Sequence, residues 1–426
     1  MKTNSKKASG LKILKILIIL GIVVQTMSCA GGPKTATEQA LGKEGSAEAA
    51  VPKINMAAEL AKIDTMLHTD TPSAVSAHEH YLRALDMIEE GKIVFAELFL
   101  KRALANEPKS HFLLGEVIRI LLRQNKTAEA FPLLELAVKS PRATGDDFLF
   151  MARLYKEKEM LDSAAVNYKK AADVIKGNLS VLYEYAQLLE FSQKYAEPES
   201  KQNYVELKRI YDILLPELDY PPRLLEKQVL LYQITETPDS AIADLLGEAF
   251  KVNGIGYAEY AYLQAQILAS LKKYSEANEV LLTLFFSHPS KEFTSRLAIN
   301  IANNYELMDS ITVAVIWLEQ ILASEPKNHI ALNNLGYILI NRDMDINRGI
   351  TLVDKALSLS PTEPSYLDSK AWGLYKTGKY KEALEIFEKL AADGMDADEL
   401  WEHLIAVCEA LKLEDKVKEY KAKLKK

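Results

Sequence analysis

The chain has 426 residues, and its 59 acidic and 52 basic side chains give a formal net charge of −7 at pH 7. A net negative charge, without clusters of basic and aromatic side chains, argues against nucleic-acid binding. Two cysteines cannot form a disulfide framework, so an exported chain of this kind relies on its hydrophobic core.

The first 29 residues have the composition of an export signal. Lysines but no acidic residue precede the apolar run ILIILGIVV, and no charge occurs between Ile16 and Ser28. The run is shorter than the roughly 20 residues of a membrane span. A basic start, a short apolar run and small residues after it are typical of a secretory signal, so we predict that segment 1–29 is a signal peptide.

The signal ends in TMSCAGG, where Cys29 follows the small residue Ser28. Cys29 resembles the lipid-attachment cysteine of bacterial lipoproteins, although Thr26 replaces the usual aliphatic residue and Met27 is unusual there. The resemblance implies an exported protein that is lipid-anchored to the bacterial membrane, on the periplasmic side of the outer membrane. Two alternatives stay open: cleavage at a small-x-small site formed by Ser28 and Ala30, which removes Cys29, and an uncleaved N-terminal anchor.

Segment 30–75 follows the cysteine and begins with GGPKTATEQALGKEGSAEAAVP. Small and polar residues dominate this stretch, and linkers of such composition are flexible. We therefore predict that it tethers the remainder of the chain to the anchor.

From residue 76 onward the sequence repeats. Ala96, Ala130 and Ala164 are 34 residues apart, and the same step relates two further sets, which are Leu100, Leu134 and Tyr168, and Ala103, Ala137 and Ala171. Within each period the apolar residues have helical spacing and are interrupted once, which predicts two helices joined by a turn. Two helices of about a dozen residues cannot bury enough surface alone, so neighbouring pairs must complete the core.

This pattern resembles the tetratricopeptide repeat (TPR), a helix–turn–helix unit of about 34 residues. In YLDSKAWGLYKTGKYKEALEIFEKL the matching residues are Gly378, Tyr380, Ala383 and Phe387. Three repeats that precede this stretch match as well. Their matching residues are Leu335, Gly336, Ala356 and Pro361; Ala265, Tyr274, Ala277, Leu281 and Pro289; and Ala302, Tyr305, Ala314, Leu318 and Pro326. The resemblance implies an all-α fold, a right-handed α-solenoid of about ten TPR-like helical hairpins.

The repeats also predict boundaries. Segment 76–178 holds TPR units 1–3, and 179–256 holds divergent helical repeats with the polar insertion QKYAEPESKQN. Segment 257–396 returns to TPR units. Segment 397–426 is expected to cap the stack with solvated, lysine-rich helices, the alternative being a lipid or anionic-partner patch. Cys408 there is expected to be a small core residue.

No motif for catalysis is evident. His78 and His80 flank Glu79, but this spacing puts the two imidazoles on different helix faces and lacks the His-Glu-x-x-His pattern. Gly254 and Gly256 lack the preceding strand of a phosphate-binding loop. No Gly-x-Ser-x-Gly elbow occurs. We therefore expect neither an enzyme nor a metal or cofactor site.

A candidate partner groove follows from the resemblance, because the first helix of each TPR unit lines the concave side. Its exposed positions are expected to be Arg296, Asn300, Asn303, Asn333, Asn334, Tyr337, Asn341, Asp368, Trp372, Tyr375 and Lys376. Asparagine amides can bond an extended peptide backbone, and Tyr and Trp provide stacking faces. The alternative is that these side chains are solvated or bond between neighbouring helices.

We accordingly predict a non-enzymatic adaptor lipoprotein that binds a protein or peptide partner at the cell envelope, in envelope assembly, secretion or surface-polymer export. The alternative is an accessory subunit or enzyme acting on peptidoglycan or polysaccharide, since Tyr337, Trp372 and Tyr375 could stack on sugars. A catalytic carboxylate pair would favour that alternative, but Asp368 has no evident second member.

Overall fold

The structure is a computed structural model that describes residues 76–195, 201–287 and 290–424. Within these ranges every regular element is helical, with a 3-10 turn at Gly254–Tyr257, so the predicted all-α fold is confirmed. The helices are α1 (Ala77–Glu89), α2 (Ile93–Asn106), α3 (His111–Arg123), α4 (Thr127–Lys139), α5 (Gly145–Glu157), α6 (Leu161–Val174), α7 (Leu179–Tyr195), α8 (Lys201–Glu217), α9 (Pro222–Ile234), α10 (Asp239–Asn253), α11 (Ala258–Ser270), α12 (Tyr274–Ser287), α13 (Lys291–Leu307), α14 (Ile311–Ser324), α15 (His329–Asn341), α16 (Ile346–Leu359), α17 (Pro364–Lys376), α18 (Tyr380–Ala392), α19 (Asp398–Ala410) and α20 (Glu414–Leu424).

The chain divides into two compact units, the first ending at Thr235 and the second beginning at Glu236. In the first unit α1–α8 form four successive hairpins, and α9 packs on α8. In the second unit α10 packs on α11, and five hairpins run from α11 to α20. The division falls inside segment 179–256, where the sequence departs from the repeat pattern.

The polar insertion QKYAEPESKQN is helical at both ends. Helix α7 continues to Tyr195 and α8 begins at Lys201. Both helices have 17 residues, whereas the neighbouring α5 has 13, so the additional sequence lengthens the helices of this hairpin. Residues 196–200 lie outside the described ranges.

The first helix of each of the first three hairpins is capped by a side chain, and these N-cap residues are 34 positions apart. Ser76, Ser110 and Thr144 each accept a hydrogen bond from a backbone N–H three residues later. The Asp147 side chain accepts in return from the Thr144 N–H at 2.7 Å, which completes a capping box. Each such cap stabilises its helix by about 1 kcal/mol. The 34-residue period therefore fixes where each hairpin begins.

The same period fixes the core. All nine residues that define the repeat are buried, and the six alanines among them have no exposed surface. Small residues at these positions let the helices of a hairpin approach, while Leu100, Leu134 and Tyr168 fill the space between hairpins. The predicted core register is thus confirmed in the first unit.

In the second unit α15 and α16 approach each other at two glycines. A Cβ added to Gly336 would lie 2.8 Å from the carbonyl oxygen of Gly349, and one added to Gly349 would lie 2.7 Å from the carbonyl oxygen of Gly336. Backbone atoms cannot turn aside, so this crossing requires glycine on both helices. Gly349 stands seven residues before Ala356, as Ala96 stands before Ala103.

The C-terminal hairpin, α19 and α20, closes the second unit. Cys408 is fully buried, which confirms its expected place in the core. Lys416 lies 2.5 Å from Glu388 and Lys421 lies 2.7 Å from Glu409, so these lysines pair with carboxylates of the same unit. Of the helices in the described ranges, none has both the length and the apolar composition that crossing a bilayer needs. Segments 1–29 and 30–75, with Cys29, lie outside those ranges.

Candidate functional site

The first helices of the second unit's hairpins form one surface, which we call the inner face: α11, α13, α15, α17 and α19. Helix α15 packs along α17, and α17 contacts α19. The Tyr337 hydroxyl on α15 donates a hydrogen bond to Glu399 on α19 and so spans the intervening α17. A contact between hairpins that are not neighbours requires the first helices to converge. The inner face is therefore concave here, and all eleven predicted groove residues belong to its helices α13, α15 and α17.

Its asparagines bond between neighbouring helices. The Asn300 amide donates to the Tyr262 hydroxyl at 3.1 Å and to the Arg296 carbonyl at 2.9 Å. Across the next helix pair, Asn334 donates to the Asn303 side chain at 2.9 Å. Asparagine is a poor helix former, and these interhelical bonds are the physical reason for its presence. For Asn300, Asn303 and Asn334, the alternative that groove side chains bond between neighbouring helices is therefore the one that the structure supports.

Two of the predicted groove residues are buried, contrary to their expected exposure. Asn333 and Asp368 are each 6% exposed. The Asp368 carboxylate lies 3.2 Å from Nδ1 of His403, which is itself buried on α19. The Asn333 amide donates a long 3.5 Å bond to Asn334, and its Oδ1 has no hydrogen-bond partner among the described residues. Asp368 was mispredicted because His403 of the next hairpin packs against it.

The aromatic residues form an internal stack. Trp372 stacks on Tyr375, with ring centroids 4.6 Å apart, and on His403, with centroids 4.1 Å apart. Its Nε1 donates to the Asn341 side chain at 3.1 Å. The indole is half-buried and held on several sides. Tyr375 also contacts Tyr380, with ring centroids 5.5 Å apart, so all three predicted aromatic residues have partners within the fold.

Two cations of the inner face are already paired. Arg296 lies 3.1 Å from Glu259, and its guanidinium lies over the Tyr262 ring, 4.8 Å from the centroid. Lys376 lies 2.8 Å from Asp343. Both predicted groove cations therefore have intramolecular partners.

Three carboxylates contrast with these pairs, namely those of Glu306, Glu399 and Glu402, which we call the acidic patch. None of them has an ion-pair partner among the described residues. Glu306 is half-buried, while Glu399 and Glu402 are exposed on α19. Of these three, Glu399 accepts a hydrogen bond from Tyr337, the residue that bridges α15 and α19.

Electrostatic coupling links Glu306, Glu399 and Tyr337. Burial raises the pKa of Glu306; Arg342 opposes this rise, and the nearby Glu399 carboxylate adds to it. Burial also raises the pKa of Tyr337, and its hydrogen bond to Glu399 raises it further, with contributions from Asp368 and Glu306. Arg342 itself forms its ion pair with Asp309, at 2.8 Å. The centre of the inner face is therefore rich in negative charge and poor in free cations.

An open cleft of about 820 Å³ lies on the inner face near the start of α13. Apolar, polar and charged side chains all line the cleft. The lining residues are Glu259, Ser290, Lys291, Glu292, Phe293, Ser295, Arg296, Ile299, Glu325, Asn328 and Ile330. Hydrogen bonds from Ser295 and Asn328 lower the pKa of Glu325 and keep it ionised. Sequence analysis identified only Arg296 here, although an exposed isoleucine in the first turn of α15, Ile330, was a usable signal.

Metal chemistry has no visible support in the part of the chain that the structure describes. No group of three or more His, Cys, Asp or Glu side chains there is arranged to hold a metal ion. His78 is exposed and His80 is buried, so the two imidazoles lie on different sides of α1, as the spacing predicted.

Comparison with known proteins finds repeat proteins. No protein-family model matches the chain. A TPR repeat-containing protein of Pseudomonas aeruginosa is 28% identical over 225 residues, which cover 52% of this chain and 32% of that protein. The chain thus spans about a third of the length of that relative. It is similar in sequence to a TPR protein, in agreement with the resemblance seen in its repeats.

Similar solved structures are also helical repeat proteins. The TPR domain of P58(IPK) is 15% identical, with 79% of this chain and 99% of that chain covered and a TM-score of 0.27. A tetratricopeptide repeat protein from Parabacteroides merdae is 15% identical, with 78% and 98% covered and a TM-score of 0.32. The Cut9–Hcn1 hetero-tetramer of APC/C is 10% identical, with 85% and 95% covered and a TM-score of 0.39. Such TM-scores do not define how the hairpins are arranged.

Proposed function

We propose that this protein is a non-catalytic adaptor that binds a protein or peptide partner through the inner face of its second unit. The observation that supports the proposal most is the Tyr337–Glu399 hydrogen bond, which is consistent with a concave inner face. A concave row of helices offers an extended surface on which a chain segment can lie. The cleft supplies exposed apolar area at Ile330, and the acidic patch supplies charge at the centre of that surface.

The paired state of most groove residues defines what such binding requires. Asn300, Asn303 and Asn334 use their amides within the fold, so a partner gains little by competing for them. Affinity must come instead from groups that the fold leaves unpaired. The exposed Ile330 at the cleft and the acidic patch are such groups.

Site-specific photo-crosslinking in cells tests the proposal. Ile330 is 42% exposed and lines the cleft, so a photoreactive residue there meets a bound partner without disturbing the core. Leu359 is 45% exposed at the end of α16, a second helix, and serves as the matched control. We expect one defined protein to be captured from position 330 and not from position 359. Capture of glycan alone would support the polysaccharide alternative, and no adduct from position 330 would refute binding at the cleft.

We further propose that the protein is exported and lipid-anchored at Cys29 in the bacterial cell envelope. The support is the basic and apolar start that ends in Ser28 and Cys29, followed by a stretch of tether composition. Metabolic labelling with a fatty-acid analogue tests this by comparing the wild type with Cys29→Ala. We expect label only in the wild type, and equal labelling of both proteins would exclude attachment at Cys29.

A further inference from the structure

We propose that segment 56–67 of this chain docks on the first unit, over Phe112 and Gly115 of α3. The segment belongs to the predicted tether and lies outside the described ranges. This inference goes beyond the proposed adaptor function, which uses the second unit, and does not depend on it. A second copy of the chain, or a separate protein, on the same surface is an outcome that the experiment below can reveal.

The first observation is an exposed aromatic side chain on a first helix. Phe112, in the first turn of α3, is 57% exposed. Its ring contacts the half-buried ring of Tyr81 on α1, with centroids 5.2 Å apart, and the two rings form an apolar surface across neighbouring hairpins. A phenylalanine with more than half of its surface in water gains free energy when another apolar group covers it.

Gly115 makes a notch beside this phenylalanine. The two residues are three positions apart and therefore lie on the same face of α3. A Cβ added to Gly115 would meet no atom of the described residues within 4 Å, so packing within that part of the chain does not require glycine. Glycine weakens a helix relative to alanine and commonly occurs where another backbone approaches closely. Gly336 and Gly349 have that use in the second unit.

The sequence of segment 56–67, MAAELAKIDTML, provides a matching apolar stripe. Met56, Leu60, Ile63 and Leu67 are separated by four, three and four positions, which is the spacing of one face of a helix. The pattern predicts an amphipathic helix, and the apolar face of such a helix needs a surface that covers it.

The free side of α1 does not offer that surface, because it is polar. Leu113, Val117 and Ile120 of α3 are buried in the clusters that α3 shares with the first hairpin. The residues 34 positions earlier, on the corresponding side of α1, are Glu79, Arg83 and Asp86. Glu79 and Arg83 form an ion pair at 3.0 Å. Polar outer faces are typical of terminal repeats, so the apolar stripe cannot extend the stack there.

Chain length places the segment within reach of Phe112. Nine residues separate Leu67 from Ala77, and nine residues can span up to about 30 Å. Tyr81, which contacts Phe112, lies four residues after Ala77, or about 6 Å along α1. A linker this short gives the segment an effective concentration on the order of millimolar, which favours it over a separate chain.

Docking changes which surfaces are available. It closes the Phe112 surface to other chains, so a protein that binds there must first displace the segment. It also leaves residues 30–55 as the free length between the predicted anchor at Cys29 and the docked segment.

Photo-crosslinking within the purified full chain tests the inference. Phe112 is replaced by p-benzoylphenylalanine, which keeps an aromatic ring at this exposed position, and the irradiated chain is mapped by mass spectrometry. We expect an adduct with segment 56–67 in a product that migrates as a monomer in denaturing electrophoresis. Leu136, which is 62% exposed on the second helix α4, is the matched control position and should give no such adduct.

The decisive variant is Leu60→Asp with Ile63→Asp, which puts two charges into the apolar stripe. We expect the adduct to fall at least about tenfold, because burying an unpaired carboxylate is costly. The matched control, Ala58→Asp with Thr65→Asp, adds the same charges to the opposite side of the predicted helix and should leave the adduct unchanged.

Hydrogen exchange gives a second measurement on the chain without the photoreactive residue. The amides of segment 56–67 should exchange at least about tenfold more slowly in the wild type than in the Leu60→Asp, Ile63→Asp variant. Far-UV circular dichroism shows that each variant retains the helices of the repeats.

Four results would overturn the inference: no adduct with segment 56–67, equal losses of the adduct in both variants, equal exchange in the wild type and the decisive variant, or an adduct only at the mass of a dimer. The last result would assign the surface to a second copy of the chain. An adduct formed only in cells and only with another protein would assign it to a separate partner. Capture from position 330 concerns the second unit, so the adaptor function stands or fails independently of these results.

Discussion

The crossing of α15 and α16 gives the sharpest test of the fold. The variant Gly336→Ala adds one methyl group at a point where backbone atoms of the partner helix already touch. The added Cβ would lie 2.8 Å from the Gly349 carbonyl oxygen, 2.8 Å from Cγ2 of Val353 and 3.2 Å from the Val353 amide nitrogen. Two of these three neighbours are backbone atoms, so relief requires the helices to move apart.

The expected cost follows from two opposing terms. Overpacking a closed interface costs about 1–3 kcal/mol, and the upper part of this range applies because the backbone cannot yield. Replacing glycine by alanine inside a helix stabilises the helix by about 1 kcal/mol. We therefore expect Gly336→Ala to lower the free energy of unfolding by about 1–2 kcal/mol. The reciprocal variant Gly349→Ala should cost a similar amount, because its Cβ would meet the Gly336 carbonyl oxygen at 2.7 Å.

Urea unfolding followed by tryptophan emission measures this loss, because Trp317, Trp372 and Trp401 all lie in the second unit. The control is Gly115→Ala in α3, where an added Cβ would meet nothing within 4 Å. Far-UV circular dichroism should show that this control is as stable as the wild type or more so. If Gly336→Ala were neutral or stabilising, α15 and α16 could not cross as closely as the structure shows.

Three further predictions concern single positions. Gly378→Ala should cost about 1 kcal/mol, measured by urea unfolding, because Gly378 has φ of +79° and alanine is strained there. Thr144→Ala should cost about 1 kcal/mol by loss of the capping box, with faster hydrogen exchange in the first turn of α5. Burial opposes ionisation of Glu97, but hydrogen bonds from Lys101, Lys126 and Gln124 outweigh it and lower the pKa from 4.5 to about 2. Glu97→Gln should therefore cost roughly 2 kcal/mol above pH 4.5, and circular dichroism should show the difference from wild type shrinking toward pH 2.

The fold could be predicted largely from the sequence because the core of a repeat is local. Ala96 packs within its own hairpin and the adjacent one, so a 34-residue period is sufficient to place it. The hairpin turn at Gly378 and the match at Gly336 are likewise set by neighbouring residues. Gly349 was missed because the turn before it has one additional residue, although its distance from Ala356 equals the distance from Ala96 to Ala103.

The state of the groove could not be predicted in the same way, because it depends on the next hairpin. Asp368 occupies an exposed position of α17 by register, but His403 of α19 covers it. Tyr337 meets Glu399, which is 62 positions away in sequence and two hairpins distant. A period of one repeat carries no information on contacts that skip a repeat, so exposure and pairing at these positions required coordinates.

The distribution of unpaired charge sets the acidic patch apart from the carboxylates of the first unit. There Glu97 lies 2.7 Å from Lys101 and 2.6 Å from Lys126, and Arg153 holds Glu184 through two hydrogen bonds of 2.6 and 3.0 Å. Those half-buried or buried carboxylates are neutralised within the fold, as the cost of desolvating a charge requires. Glu306 has no such neutralising partner within the described residues, although burial already raises its pKa. The first unit offsets the burial of Glu97 and Glu184 with ion pairs, whereas Glu306 lies near a second carboxylate, Glu399, which adds to the rise of its pKa.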